Sequence, residues 1–106
     1  MPPRWYEYAQ KSTSPGERIV KNYSGKLDGK YGYLLITDKK IFFVQEEGFI
    51  RKNYSTPLIL SFDKIKDVEP IDNYNLRIFE KTGKTYEFSS DVSTSRIKEG
   101  IQQVMH

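Results

Sequence analysis

Residues 31–44, YGYLLITDKKIFFV, constrain the chain more than any other stretch. Two runs of aliphatic and aromatic residues flank Thr37-Asp38-Lys39-Lys40. The runs have strand composition and the break has turn composition, so they predict a β-hairpin. No other part of the chain is as apolar, so the hairpin should sit at the centre of the core. With 106 residues, the chain is long enough to bury such a core in one domain.

Upstream, residues 17–27 predict a strand with apolar contacts from Ile19, Val20 and Tyr23. Asp28-Gly29-Lys30 predicts the turn that ends it, because Asp-Gly is favoured where φ must be positive. Downstream, Gln45-Glu46-Glu47-Gly48 predicts a turn, and residues 49–55 a further strand region with polar alternation. Pro57 cannot donate to a ladder and marks an edge, a bulge or a strand start. Leu58-Ile59-Leu60 predicts a separate short buried strand, and Ser61-Phe62-Asp63-Lys64 a turn. Ile65 and Val68 anchor a strand ending at Pro70. A loop at Asp72-Asn73-Tyr74-Asn75 leads to a second hairpin, residues 76–80 and 85–89, turning at Thr82-Gly83. Tyr86 and Phe88 should face away from Glu87 there.

Both ends change period. In residues 93–105 the apolar positions are Ile97, Ile101, Val104 and Met105, one helical stripe. Ser93 is placed to cap this helix, Val92 to staple onto Ile97, and Gly100 to allow close approach to a sheet. At the other end Pro2 and Pro3 can start a helix. Trp5, Tyr8 and Ala9 share one face, so residues 4–11 predict a short helix with its aromatic side on the β structure. Ser12-Thr13-Ser14-Pro15-Gly16 is a loop by composition.

The formal net charge is +3. Residues 1–60 carry ten basic and six acidic side chains, and residues 61–106 seven and eight, so the excess lies in the first part. Most of it comes from Arg18, Lys21, Lys26, Lys30, Lys39 and Lys40 against Asp28 and Asp38. Such a field favours anionic partners; lysines also keep strand edges from pairing. No apolar run approaches the ~20 residues of a membrane span, and MPPRWYEYAQ lacks the apolar core of a signal peptide. With no cysteine, disulfides and thiolate metal sites are excluded. A cytoplasmic location, at most peripheral to a membrane, is the expectation.

Catalysis finds little support. The one histidine, His106, is the last residue, there is no Gly-rich phosphate loop, and the carboxylates are scattered. Glu46 and Glu47 are neighbours on a strand and point to opposite faces. The expectation is no enzyme, no metal and no cofactor.

Three segments then stand out together. They are Gly16-Glu17-Arg18-Ile19, the glycine-led hairpin from Gly32 to Val44 with Thr37, Lys40 and Phe42, and the Leu60, Ile65 and Val68 spacing. In these features residues 16–105 resemble the pleckstrin-homology-like superfold, and within it the GRAM-like and bacterial PH-like families. The resemblance implies a mainly β fold, a PH-like seven-stranded barrel or sandwich capped by a C-terminal α-helix. It would span residues 16–106, with residues 1–15 as an N-terminal extension.

It also implies a non-catalytic binding module. Many members bind peptides by adding a strand between an edge strand and the C-terminal helix. Tyr54, Arg51 and Lys52 are the expected edge here, for a protein or peptide partner or for a homo-oligomer. The alternative is an anionic membrane surface, held by basic groups around the first hairpin turn: Lys21, Lys26 and Lys30. Lipid-binding members carry an arginine just after that turn, where this chain has Tyr31-Gly32-Tyr33. Lys30-Tyr31-Gly32-Tyr33-Leu34 also resembles an RNA-stacking motif. That motif needs two helices on an open sheet, and one good helix here argues against nucleic acid.

Overall fold

The computed structural model describes residues 3–105. Pro2, expected ahead of the first helix, and His106 lie outside the described residues. The elements are α1 (Arg4–Lys11), β1 (Ile19–Leu27), β2 (Lys30–Thr37), β3 (Lys40–Glu47) and β4 (Asn53–Ser61). A single 3-10 turn (Phe62–Lys64) follows, then β5 (Ile65–Pro70), β6 (Asn75–Glu80), β7 (Thr85–Ser90) and α2 (Thr94–Val104).

The strands form one antiparallel sheet in the order β4-β3-β2-β1-β7-β6-β5. The expected fold class is therefore observed: mainly β, with seven strands and a C-terminal helix. The sheet is not closed, because β4 and β5 remain as its two edges.

The apolar runs of the central hairpin are continuous rather than alternating because β2 and β3 are covered on both faces. Leu34, Ile36, Ile41 and Phe43 point inward, into a core shared with Leu76, Ile78, Phe88, Ile97 and Ile101. Leu35, Phe42 and Val44 point outward, into a smaller cluster roofed by α1 through Trp5, Tyr8 and Ala9. The amphipathic stripe of α2 closes the inner core, and the aromatic side of α1 closes the outer one. Side-chain burial of this kind contributes about 25 cal/mol per Å² of apolar surface, so each helix is held by its stripe.

Turn chemistry follows the sequence closely at the first hairpin. Leu27 pairs with Lys30, and Asp28 and Gly29 adopt φ values of 50° and 86°. Tyr86 and Phe88 are buried while Glu87 is exposed.

Three expectations are corrected. Residues 49–55 and Leu58–Leu60 are not two strands. Residues 49–52 are loop, β3 continues to Glu47, and β4 runs through Pro57 as one strand with a bulge there, Thr56 and Pro57 opposing Val44. A bulge on an edge strand tolerates that proline, because the extra residue is left out of the ladder and needs no N–H. Ser93 stands at the N-cap of α2 but makes no side-chain cap bond. The Asx turn at Asp72 takes over that role: the Thr94 N–H donates to the Asn73 carbonyl and the Thr94 hydroxyl to the Asp72 carbonyl. Val92, the expected staple, is 39% exposed.

Candidate functional site

β1 is paired unequally on its two sides. Towards β2 it is bonded from Ile19 to Leu27, with a bulge between Ile19 and Lys21. Towards β7 the ladder holds Gly25, Lys26 and Leu27. The chain leaves β7 after Ser90 and turns away into α2. Among the described residues, Lys21, Asn22, Tyr23 and Ser24 therefore have no ladder partner on that side. A hydrogen bond from Ser24 Oγ to Asp91 Oδ2 at 3.1 Å marks where the strands part.

Beyond that point β1 and α2 bound a groove of about 490 Å³, with Val92 at one end and Arg96, Glu99 and Gln103 along the helix side. Gly100 brings the helix down onto the strand. A Cβ there would lie 2.8 Å from the Tyr23 hydroxyl oxygen and 3.2 Å from Lys21 Cδ. The close approach expected of Gly100 is thus observed, and it sets the helix against Tyr23 and Lys21, which line the groove. Burial pushes the Tyr23 phenol pKa up, so it stays a neutral hydrogen-bonding group. The rim has mixed charge, with Lys21 and Arg96 against Glu99.

The groove offers bare strand edge, a phenol, one exposed valine and charges of both signs. This suits an extended peptide backbone. Four residues of strand span about 13 Å at ~3.3 Å each, room for a short added strand.

The structure does not bring Lys21, Lys26 and Lys30 together. Lys21 lies with Ile36 on the inner face, its stem against α2. Lys26 is paired with Tyr31 on the outer face. Lys30 pairs with Leu27 at the far end of the hairpin, six residues along β1 from Lys21 and hence about 20 Å away.

The other candidates lie on the face away from α2. Tyr54 is on edge strand β4, half-buried, its ring centroid 5.6 Å from that of Tyr8. Lys52 donates to Glu46 Oε1 at 2.9 Å, and that hydrogen bond raises its pKa. Arg51 is exposed in the β3–β4 loop. The groove beside the C-terminal helix thus adjoins β1 rather than β4. Of the sequence candidates it holds Lys21 alone. The signal that locates it is β7 ending at Ser90 while β1 starts at Ile19, which no local pattern reveals.

Among the described residues no three His, Cys, Asp or Glu side chains are grouped to hold a metal ion, and no helix is long and apolar enough to cross a membrane.

Among solved structures, the C-terminal domain of an unknown protein from Leishmania infantum is similar. Its TM-score is 0.67 at 15% identity, covering 95% of this chain and 99% of that one. Likeness at that identity concerns the fold alone. No curated protein matches the chain. The family model described as Bacterial PH domain matches residues 14–100, from the loop before β1 into α2. That span takes in every strand and most of the helix that plugs them, and the chain belongs to the bacterial PH domain family.

Proposed function

We propose that the chain binds an extended segment of a partner protein as an added strand on β1, opposite α2. PH-like domains are in general non-catalytic binding modules, and the observation that selects this mode is the half-paired edge of β1 beside an open groove. Backbone hydrogen bonds would supply affinity, and side chains reaching Val92, Tyr23 and Arg96 would supply preference.

Peptides selected from a random library on the immobilised chain test this reading. In two-dimensional NMR a selected peptide should shift the amides of residues 20–24 and 96–103, and Arg96→Glu should weaken it. Both Arg96 and Gln103 are exposed, so such variants keep the fold. Shifts confined to β4 or to the loops would refute the groove as the site.

Self-association through β4 is the second reading, supported by Ile59, 55% exposed on the same edge strand as Tyr54. Pro57 interrupts the donors of the edge and limits its length. Light scattering of the native chain and Ile59→Lys decides it: a dimer lost in the variant supports β4, and a monomer in both removes it.

A further inference from the structure

We infer that the partner segment runs antiparallel to β1 and carries a bulky apolar residue two places before an acidic one. The apolar residue seats on a shelf of Ile71, Tyr74 and Val92, and the acid meets Arg96. This rests on the strand addition proposed above and names the chemistry of its partner.

Two connections bonded to each other build the shelf. Ile71 and Tyr74 lie in the β5–β6 loop, and Val92 lies between β7 and α2. The Ser90 N–H donates to the Tyr74 carbonyl at 2.7 Å and the Thr94 N–H to the Asn73 carbonyl at 3.0 Å, which joins the connections into one surface. Ile71 is 49% exposed and Tyr74 61% exposed. A single exposed apolar residue is ordinary. Three gathered on two joined loops mark an interaction surface. Val92 also lines the groove, so the shelf continues the groove past the point where Ser24 meets Asp91.

The free edge of β1 sets direction and register. The Asp28 N–H donates to the Glu87 carbonyl, on the β7 side. Backbone bonding alternates between the two sides of a strand, so Lys26, Ser24 and Asn22 direct their groups the same way. Lys26 pairs with Ser89, and Ser24 stands where the strands part. That leaves the Asn22 N–H and carbonyl for an incoming residue. β7 is antiparallel to β1 and stops at Ser90. A segment that keeps the direction of β7 fills the place β7 vacates and enters from the shelf. Antiparallel pairing is also the more stable kind.

Register then assigns the side chains. Paired residues of antiparallel strands share a face. The residue opposite Asn22 points away from α2, and its neighbours, opposite Tyr23 and Lys21, point towards the helix. The neighbour opposite Tyr23 meets Arg96, which precedes Gly100 by one turn on the same helix face. Among the described residues neither Arg96 nor Lys21 forms an ion pair, so a carboxylate has two open cations beside it. Glu99 and Gln103 line the rest of the helix side and disfavour a second acid opposite Lys21. Two places before the acid, the segment has passed Ser24. There β7 occupies the edge, so the segment lifts onto the shelf. An extended peptide supplies both things this surface lacks, backbone groups for Asn22 and an apolar side chain for Tyr74.

The test titrates three synthetic peptides into the native chain by two-dimensional NMR. They are acetyl-Thr-Leu-Thr-Glu-Thr-Ser-amide, the same peptide with Leu and Glu exchanged, and the same peptide with Lys in place of Glu. The first should shift the amides of residues 20–24, 71–74 and 92–103 and bind at least about tenfold more tightly than the other two. Arg96→Glu should invert the order of the Glu and Lys peptides. Ile71→Ser/Tyr74→Ser should weaken the first peptide at least about fivefold. Both side chains are exposed, so the thermal melt of that variant should match the native chain. Equal binding of all three peptides in the groove overturns this inference and leaves strand addition standing. An Arg96→Glu variant that keeps the native order overturns the placing of the acid. Peptides that leave residues 20–24 unshifted overturn both the inference and the strand addition beneath it.

Discussion

Trp5 lies flat on Tyr33, with ring centroids 3.8 Å apart and planes within 10°. This stack fastens α1 to the outer face of β2, and Tyr8 against Tyr54 fastens its other end to β4. A helix of eight residues is marginal alone in water, so its order depends on these contacts. Desolvation beneath the helix pushes the Tyr33 phenol pKa upward. Trp5→Ala should destabilise the chain by about 2 kcal/mol, for lost apolar burial plus the aromatic pairing. Urea unfolding followed by circular dichroism checks this, with a lower midpoint and little change in slope. An unchanged midpoint would mean that α1 contributes nothing to the fold.

Gly32 allows β2 and β3 to approach beside the largest rings of the core. A Cβ there would lie 2.1 Å from the Val44 carbonyl oxygen and 2.7 Å from the Phe43 ring. Phe43 cannot move aside freely, because it stands edge-on to Phe88 with centroids 6.1 Å apart. Gly32→Ala should therefore cost at least about 3 kcal/mol, the upper range for overpacking a core. A melting temperature close to the native one would refute the account.

Glu17 pins the segment before β1 to the β2–β3 turn. Its carboxylate accepts from Thr37 Oγ1 at 2.6 Å and from the Ser14 N–H at 2.9 Å, with Lys40 Nζ 3.4 Å away. Burial acts to raise its pKa. The Ser14 and Thr37 hydrogen bonds and the Lys40 charge outweigh that, and the folded value lies below the ordinary 4.5. A carboxyl depressed on folding stabilises the native state above its unfolded pKa, and that contribution is lost as pH falls through the folded value. Stability should thus fall on acidification from about 4.5 downward, and Glu17→Gln should cost about 1–2 kcal/mol at neutral pH and flatten that fall. Parallel curves for the two proteins would show that Glu17 is not responsible.

Much of this fold was legible in local pattern. The hairpin of residues 31–44, the Asp28-Gly29 turn and the stripe of Ile97 and Ile101 each follow from the spacing of a few residues. The β4 boundaries were not legible. Phe49 and Ile50 have strand composition yet form an exposed tip, and Pro57 marks a bulge inside one continuous edge strand rather than the start of a second strand. The pairing register with β3, which composition does not report, decides both. The site was the least legible part. Lys21, Lys26 and Lys30 are close in sequence, but alternation places Lys26 on the opposite face and strand length separates the other two. The groove depends on where β7 stops relative to β1, a relation between segments more than sixty residues apart, from Ser24 to Asp91.

Gly100 lets stability and binding be separated in one residue. Alanine there gains about 1 kcal/mol of helix propensity. Its Cβ would crowd the Tyr23 hydroxyl oxygen at 2.8 Å and Lys21 Cδ at 3.2 Å, while Ile36 Cδ1 at 3.7 Å is in ordinary contact. The two crowded atoms lie towards the ends of side chains that border an open groove, so they can give way into it. Gly100→Ala should leave stability within about 1 kcal/mol of native, the propensity gain offsetting the displacement. The displaced phenol and lysine stem then occupy space an added strand would need. A peptide that binds the native groove should bind Gly100→Ala at least about tenfold more weakly, about 1.4 kcal/mol. Unfolding curves and NMR titrations of the same two proteins check both halves. Undiminished binding in a stable Gly100→Ala variant would place the peptide away from Tyr23 and Lys21.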